Sequence, residues 1–276
     1  MSTLIQSSSP SSGILLLSLA RPPVNALHTA FFAALRDALQ AADLDETVRA
    51  VVLASGVDKG FTAGLDLTDQ TLHQQSTDAA RTALLIRDYM GFLQDAVSSL
   101  EICSKPVIAA VHGLCIGGGI DIASACDVRL AASNTVFSIK EVDIALAADL
   151  GSLQRLPKTT GNASLLNELA LTARNFGPDE AEKLGLVSRV VKGGKKEVLE
   201  EALKVAAVIA AKSPIATLST KHLLNHARDH SVKEGLEYTQ AWNMGMIQSA
   251  DIPAAFAAFT TKRPARFAEL PKRAKL

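Results

Sequence analysis

The sequence has few cysteines, few aromatic residues and no excess of charge of either sign. Its 276 residues are 4% aromatic, and 28 basic residues balance 28 acidic ones. The three cysteines are an odd number without zinc-site spacing, which argues against a disulfide framework and a zinc centre. A dedicated nucleic-acid-binding protein usually carries a basic excess, so zero formal charge argues against that class. We expect free, buried thiols at Cys103, Cys115 and Cys126.

Long apolar runs and a basic leader are also missing. No apolar run approaches the roughly 18 residues that a membrane-spanning helix needs. Residues 1–12 contain no Lys or Arg, so they resemble neither a signal peptide nor an arginine-rich transit peptide. Their Ser and Pro content predicts a disordered lead-in. At 48% hydrophobic and 20% charged, the chain as a whole is typical of a soluble globular protein with a sizeable core.

Residues 13–195 alternate short apolar runs with helical patterns. Between the apolar runs, residues 29–43 and 76–103 have the composition of helices. Strands separated by helices favour parallel pairing, so the predicted fold class is α/β. Beyond about Val191 only helical patterns remain, which predicts a C-terminal helical region with a basic tail over residues 196–276. The predicted strands are "GILLLSLA" (13–20), "VRAVVLAS" (48–55) and "PVIAAVHG" (106–113).

The stretch "HGLCIGGGID" (112–121) follows a predicted strand and precedes "ASACD", which can begin a helix. This arrangement presents free backbone N–H groups, which suit a phosphate, a carboxylate or a developing oxyanion. It is not the dinucleotide fingerprint, and no P-loop lysine follows. The alternative interpretation is a tight turn that only glycine can form.

A second stretch, "KGFTAGLDL" (59–67), also follows a predicted strand and contains small residues at a turn. Two strand ends that each offer one backbone N–H are the parts of an oxyanion hole. Together "FTAGLDL" and "HGLCIGGGID" resemble the crotonase (enoyl-CoA hydratase/isomerase) superfamily. The resemblance implies a crotonase fold, a spiral of ββα units followed by a C-terminal helical region for oligomerisation. Family members are usually trimers or dimers of trimers.

The same resemblance implies which residues bind an acyl-CoA thioester. Matching motif to motif, the two N–H donors to the thioester oxygen would be Ala63 and Gly118. The residues that follow Ala63 would contribute to substrate binding: Gly64, Leu65, Asp66 and Leu67. His112 and Cys115 could be imagined as a nucleophilic pair, but no third group orients them, and core packing is the preferred interpretation.

Three acidic residues carry the predicted proton chemistry: Asp121, Glu141 and Asp149. The hydratase pattern has glutamate at the first two positions and glycine at the third. Both departures match the Δ3,5-Δ2,4-dienoyl-CoA isomerase subfamily, which "CIGGGID", "KEVDIALAADLGSLQRLPK" and "ARDHSV" also resemble. The resemblance implies isomerisation of 3,5-dienoyl-CoA to 2,4-dienoyl-CoA in fatty-acid β-oxidation.

The chemistry of that reaction explains the additional acid. A 3,5-dienoyl thioester loses a proton at C2 and gains one at C6, about 5 Å away, and each carbon needs a catalytic group in near-attack contact. Glu141 is the candidate base at C2 and Asp149, expected to be buried in an apolar run, is the candidate acid at C6. Asp121 would polarise or orient its neighbours. The alternatives are an enoyl-CoA hydratase, a Δ3,Δ2-enoyl-CoA isomerase that uses Glu141 alone and, more remotely, an RNA-binding homologue.

Two further signals concern metals and cell location. His222, His226 and His230 lie four apart on a predicted helix, which is a possible metal stripe but more typical of a partly exposed face. The resemblance implies no metal and no redox cofactor, with CoA entering as part of the substrate. The last residues, Ala274, Lys275 and Leu276, are a variant of the SKL peroxisomal address, which predicts recognition by an import receptor. The alternatives are a mitochondrial or cytoplasmic protein whose basic tail contacts CoA phosphates or solvent.

Overall fold

A computed structural model describes residues 4–69 and 76–272 of the chain. Within these ranges the chain forms nine strands, ten α-helices and a 3₁₀ turn at Glu141–Ile144. The strands are β1 (Ile5–Ser11), β2 (Ile14–Leu19), β3 (Ala50–Ser55), β4 (Gly60–Thr62), β5 (Val107–Val111), β6 (Leu114–Ile116), β7 (Val128–Ala132), β8 (Val136–Ser138) and β9 (Arg189–Val191). The helices are α1 (Thr29–Leu44), α2 (Ala79–Ile102), α3 (Gly118–Ala125), α4 (Ser152–Thr159), α5 (Ala163–Thr172), α6 (Pro178–Leu184), α7 (Lys195–Ala210), α8 (Pro214–Ala227), α9 (Val232–Met246) and α10 (Asp251–Thr261).

From β3 onward, successive strands alternate between two sheets. The larger sheet has the order β1-β2-β3-β5-β7-β9, and the smaller has the order β4-β6-β8. All neighbouring strands pair in parallel except β1 and β2, which are antiparallel. Each pair β3–β4, β5–β6 and β7–β8 therefore adds one strand to each sheet before the chain returns through helices. This confirms the predicted α/β fold built from repeated ββα units.

The larger sheet is buried on both faces, which explains the near-continuous apolar sequence of its strands. Every residue of β3 and of β5 is buried. One face packs against α1, α2 and α3 through large side chains such as Phe31 and Leu93. The other face packs against α7, whose Ala202 and Ala206 are completely buried. Helix α7 therefore packs as part of the core. The sequence pattern predicts instead that residues 196–276, which include most of this helix, form a separate C-terminal region.

The prediction of a disordered lead-in over residues 1–12 is wrong for residues 5–11. These residues form β1, which pairs with β2 from Ile5–Leu19 to Ser11–Ile14, with a register shift between Ser8 and Ser11. Only Ile5 of this strand is buried. The edge of β2 offers backbone N–H and C=O groups that can pair with a strand of almost any sequence. A serine-rich segment with little apolar surface can therefore be ordered there. An edge strand also tolerates a proline such as Pro10.

Within residues 4–69 and 76–272, no single helix is both long enough and apolar enough to cross a membrane. The pair α7 and α8 meets the same criteria of length and composition only when the two are taken together, and they are bent by 110°.

Candidate active site

A cavity of about 560 Å³ lies where the two sequence motifs meet the acidic segment. Its lining is mostly apolar, with Glu141 and Asp149 as its acidic residues among those described. Asp66 and Asp121 are the predicted site residues that do not line it. The other predicted site residues all do: Ala63, Gly64, Leu65, Leu67, Gly118, Glu141 and Asp149. The tertiary structure therefore brings together segments that are separated by up to 86 positions in the sequence.

The smaller sheet places the two motifs side by side. Strands β4 and β6 form the first part of each motif and pair in parallel, with Thr62 opposite Cys115. Gly64 then turns with φ of +90°, and a Cβ atom at this position would lie 2.8 Å from the carbonyl oxygen of Ile116. Only glycine allows this backbone-to-backbone contact, because the left-handed conformation and the lack of space both exclude a side chain. The two motifs are consequently in direct contact at the edge of the cavity.

The glycine triplet itself begins α3, earlier than the "ASACD" start that the sequence pattern favoured. Gly117 is the N-cap, with φ of +51°, and its N–H donates to the carbonyl of Ser138 at 2.9 Å. Gly118 is the first helical residue, so its N–H has no partner within the helix. A Cβ atom on Gly118 would lie 2.9 Å from Leu27 Cδ1. The geometry therefore leaves a backbone donor at the cavity wall with little room for a side chain.

The prediction that Ala63 supplies the second donor is wrong. Its N–H donates to the carbonyl of Val24 at 2.9 Å, and the next N–H, that of Gly64, donates to Thr62 Oγ1 at 3.0 Å. Both groups are consumed in holding the loop after β4. The small side chains at these two positions suggest a donor by motif, but in the structure these residues hold the turn.

Leu65 carries the free donor of this loop. It forms an isolated parallel bridge with Leu27, in which Leu27 donates to Gly64 and Asp66 donates to Leu27, both at 2.8 Å. In such a bridge the amide of the central residue points away from the partner strand. Among the described residues, the Leu65 N–H makes no hydrogen bond. Since Leu65 lines the cavity, its amide and that of Gly118 are the two backbone donors available there.

Asp66 stabilises the loop that follows β4 and does not line the cavity. Its carboxylate accepts hydrogen bonds from Thr68 Oγ1 and from Arg21 Nη2, each at 2.6 Å. The hydrogen bonds from Thr68 and then the one from Arg21 lower the pKa of Asp66 to about 2. Leu67, by contrast, is exposed and contributes its side chain to the cavity wall.

Glu141 begins the 3₁₀ turn and is half-buried beside the cavity. Its Oε2 is buried and has no hydrogen-bond partner among the described residues. Burial and the neighbouring charges of Asp121 and Asp149 raise the pKa of Glu141 to about 7. A buried carboxylate oxygen without a partner is rare, and together with a pKa near neutrality it is typical of a general base.

Asp149 reaches the same cavity from the segment that precedes α4. Its side chain is exposed to the cavity rather than buried, contrary to expectation, while the flanking Ala148 and Leu150 are buried. The apolar run thus anchors the backbone on both sides of the acid. Partial desolvation still raises the pKa of Asp149, so the carboxyl group retains its proton to higher pH than an ordinary aspartate.

Asp121 connects the glycine motif to the segment that carries Asp149. It lies in the first turn of α3 with 1% of its surface exposed, and its Oδ1 accepts the N–H of Ser152 at 2.6 Å. Burial raises its pKa to about 6, the hydrogen bonds with Ser152 oppose the rise, and the charge of Asp149 adds to it. Asp121 therefore does not line the cavity; it holds the backbone at Ser152, and its charge raises the pKa of Glu141.

The other candidate groups do not belong to the cavity. His112 is buried, and its Nε2 lies 3.0 Å from the carbonyl oxygen of Val57. Burial raises the pKa of the Cys115 thiol well above its usual range, which makes it unreactive. His222 stacks on Trp242 and His226 stacks on Tyr238, with ring centroids 4.0 and 3.9 Å apart. The histidine stripe therefore packs α8 against α9.

Residues 9–270 match the family model described as enoyl-CoA hydratase/isomerase. The human mitochondrial Δ3,5-Δ2,4-dienoyl-CoA isomerase is 47% identical over 242 residues, which cover 87% of this chain and 73% of the human protein. The peroxisomal Δ3,5-Δ2,4-dienoyl-CoA isomerase of Arabidopsis thaliana is 43% identical and covers 94% of each chain. The crystal structure of enoyl-CoA hydratase from Bacillus anthracis superimposes with a TM-score of 0.86 at 27% identity, covering 96% of this chain and 99% of that one. The chain therefore belongs to the enoyl-CoA hydratase/isomerase family.

Proposed function

We propose that this protein isomerises 3,5-dienoyl-CoA to 2,4-dienoyl-CoA in fatty-acid β-oxidation. The observation that carries the proposal is the pairing of two acids with different environments on one apolar cavity. Glu141 has a buried oxygen without a partner, and Asp149 is exposed to the same space. The relatives named dienoyl-CoA isomerase, at 43 to 47% identity, support the same reaction.

The first step assigned to the site is activation of the thioester. The carbonyl oxygen of the substrate would accept hydrogen bonds from the N–H groups of Leu65 and Gly118, which have no acceptor of their own among the described residues. These donors are fixed before the substrate binds, so they stabilise the negative charge that develops on the oxygen without reorganising. The carbon next to the thioester, C2, thereby becomes acidic.

The second step is a proton transfer at each end of the diene. Glu141 removes a proton from C2, and the electron pair of that bond is delocalised onto the thioester oxygen and along the diene. Asp149 then donates a proton to C6, the C5=C6 double bond is lost, and the double bonds lie at C2 and C4. Glu141 has gained the proton that Asp149 has lost, so exchange with water must restore both groups before the next cycle. The reaction is redox-neutral and, as written, uses neither a metal nor a redox cofactor; CoA belongs to the substrate.

A hydratase is the main alternative, because solved structures of similar fold carry that name. The two activities differ in the second acid. The hydratase pattern has glutamate at position 121 and glycine at position 149, whereas this chain has Asp121 and Asp149. Asp121 is buried, does not line the cavity and accepts the N–H of Ser152 through Oδ1, so it is poorly placed to activate water in the cavity. This arrangement favours the isomerase.

The test supplies the purified protein with a 3,5-dienoyl-CoA and follows the absorbance of the conjugated 2,4-dienoyl thioester. In parallel, a 2-enoyl-CoA and a 3-enoyl-CoA are supplied to measure hydration and Δ3,Δ2 isomerisation. We expect the dienoyl substrate to give the highest kcat/KM. Faster turnover of either other substrate would replace the proposed function with the corresponding alternative.

The proposed location is the peroxisome, by recognition of the last three residues by an import receptor. The relatives are named for peroxisomes or for mitochondria, and the Arabidopsis one is named peroxisomal. Residues 274–276 lie outside the described residues. Deleting them should leave a tagged protein in the cytosol with its activity unchanged. Continued import after the deletion would reject the C-terminal address.

The proposed assembly is a homotrimer or homohexamer formed through the C-terminal helical region. No residue of α9 is buried, and α10 buries only Asp251. Large apolar side chains such as Phe259, which is 87% exposed, lie on these helices. A second copy of the chain would cover this surface, and light scattering of the purified protein would give three or six times the mass of one chain, 29.1 kDa.

A further inference from the structure

Few contacts fix the position of the Asp149 side chain. It is exposed and borders two cavities, the active-site cavity and a neighbouring one that Gln94 and Arg155 also line. Its carboxylate accepts a hydrogen bond from its own backbone N–H, and among the described residues no other side chain donates one to it. The position of this acid therefore depends on the backbone that carries it. Proton donation at a defined carbon, however, requires the acid to be placed within a fraction of an ångström.

Three helices hold that backbone. Gln94 on α2 donates from Nε2 to the carbonyl oxygen of Asp149 at 2.8 Å. Arg155 on α4 donates from Nη1 to the carbonyl of Leu150 at 3.3 Å, and Asp121 on α3 accepts the N–H of Ser152. Of these contacts, the one from Gln94 is the only one that reaches the residue carrying the acid itself.

The helix that carries Gln94 is a rigid support. The residues next to it on the inner face of α2, Leu93, Ala96 and Val97, are buried in the main core. Gln94 itself is exposed and makes no contact with the glycine motif or with Glu141 among the contacts described. Its amide therefore ties the acid that serves C6 to the core, without touching the base that serves C2.

We propose that Gln94 is a positioning residue that places Asp149 for proton delivery to C6. This inference rests on the proposed function, because it assigns Asp149 the role of the acid. The effect of Gln94 is selective: it governs protonation at C6 and leaves proton removal at C2 to Glu141 and the backbone donors. An ordinary surface glutamine would influence neither step.

The test compares Gln94→Met, Gln94→Glu and the control Asp95→Asn in the full-length enzyme. Methionine keeps the length of the side chain but removes the donor, and glutamate keeps the shape while presenting oxygen atoms to the carbonyl of Asp149. Asp95 is the next residue on the same helix, is exposed, and makes no polar contact among the described residues. Each variant is assayed for kcat and KM on 3,5-dienoyl-CoA, for exchange of the C2 proton with solvent deuterium, and for its melting temperature.

We expect kcat to fall about 10- to 100-fold in Gln94→Met and further in Gln94→Glu, because displacing a catalytic group by about 1 Å can cost 100-fold. The KM, the C2 exchange rate and the melting temperature should stay close to those of the wild type, as should all properties of Asp95→Asn. Unchanged kcat in both Gln94 variants would overturn the proposal. An equal loss of C2 exchange and isomerisation would also overturn it, since Gln94 would then support the whole cavity. A wild-type enzyme that does not isomerise the diene would instead reject the proposed function.

Discussion

The glycine segment, residues 117–121, and the acidic segment, residues 141–151, border the same cavity but are built in opposite ways. Every residue of α3, which begins at Gly118, is buried. In the acidic segment residues 142–147 are exposed, and the polar groups that reach the cavity are side chains. Backbone donors for an oxyanion must not move, whereas acids that exchange protons need access to water once per cycle. The difference in burial corresponds to this difference in task.

The largest expected effect tests the acidic segment. Asp149→Asn keeps the size of the side chain and removes the transferable proton, so isomerisation of 3,5-dienoyl-CoA should fall by about 100- to 10,000-fold. Exchange of the C2 proton with solvent deuterium should persist in this variant, because Glu141 and the backbone donors are intact. Exchange measured by mass spectrometry alongside the rate of isomerisation separates the two steps.

Glu141→Gln is the matched comparison for that prediction. It should abolish both isomerisation and C2 exchange, since no base remains at C2. If Asp149→Asn isomerises the diene at the wild-type rate, the mechanism with two carboxylates fails, and an isomerase that uses Glu141 alone becomes the better interpretation.

The second-largest expected effect concerns the backbone N–H donors of the proposed oxyanion hole. Leu65→Pro removes the N–H that we assign to the oxyanion hole, and the loss of one such donor reduces kcat by about 100- to 1,000-fold. Leu65→Ala is the control, because it shortens the side chain and keeps the N–H. Steady-state kinetics of the two variants, with circular dichroism to verify the fold, should give a much larger defect for proline. Similar defects in both would assign the effect to the side chain instead.

The smallest effect tests the coupling between the two segments. Glu141 must be deprotonated to act as the base, and its pKa is about 7, so kcat/KM should fall about tenfold per pH unit below that value. Asp121 in the glycine segment contributes to the raised pKa of Glu141 by its negative charge. In Asp121→Asn that charge is gone, so the acidic limb of the pH profile should move to lower pH. An acidic limb that stays in place would show that the two groups are not coupled.

Much of the site was predictable because its residues occur in short motifs that are local in the sequence. The glycine triplet, the acid at position 141 and the unusual acid at position 149 all lie in or near patterns that resemble the enoyl-CoA hydratase/isomerase family. Leu65 is predicted from the sequence only as a substrate-binding residue. The donor role that we propose for its N–H could not be predicted, because hydrogen bonds to distant residues decide which N–H stays free. Whether the N–H of Ala63 or of Leu65 is free depends on Val24 and Leu27, about 40 residues away.

The sequence by itself determined the fold class and the chemical types that meet at the site, and the ββα repeat followed only from the family resemblance. Apolar periodicity sets which segments become strands, and glycine at positions 64 and 117 permits backbone conformations that other residues rarely adopt. Only the tertiary structure decided that residues 5–11 form an edge strand, that Asp149 is exposed, and that Asp121 binds Ser152. The physical reason is that exposure and hydrogen bonding depend on residues that are distant in the chain. A local sequence pattern does not show which of those residues will be in contact in the folded protein.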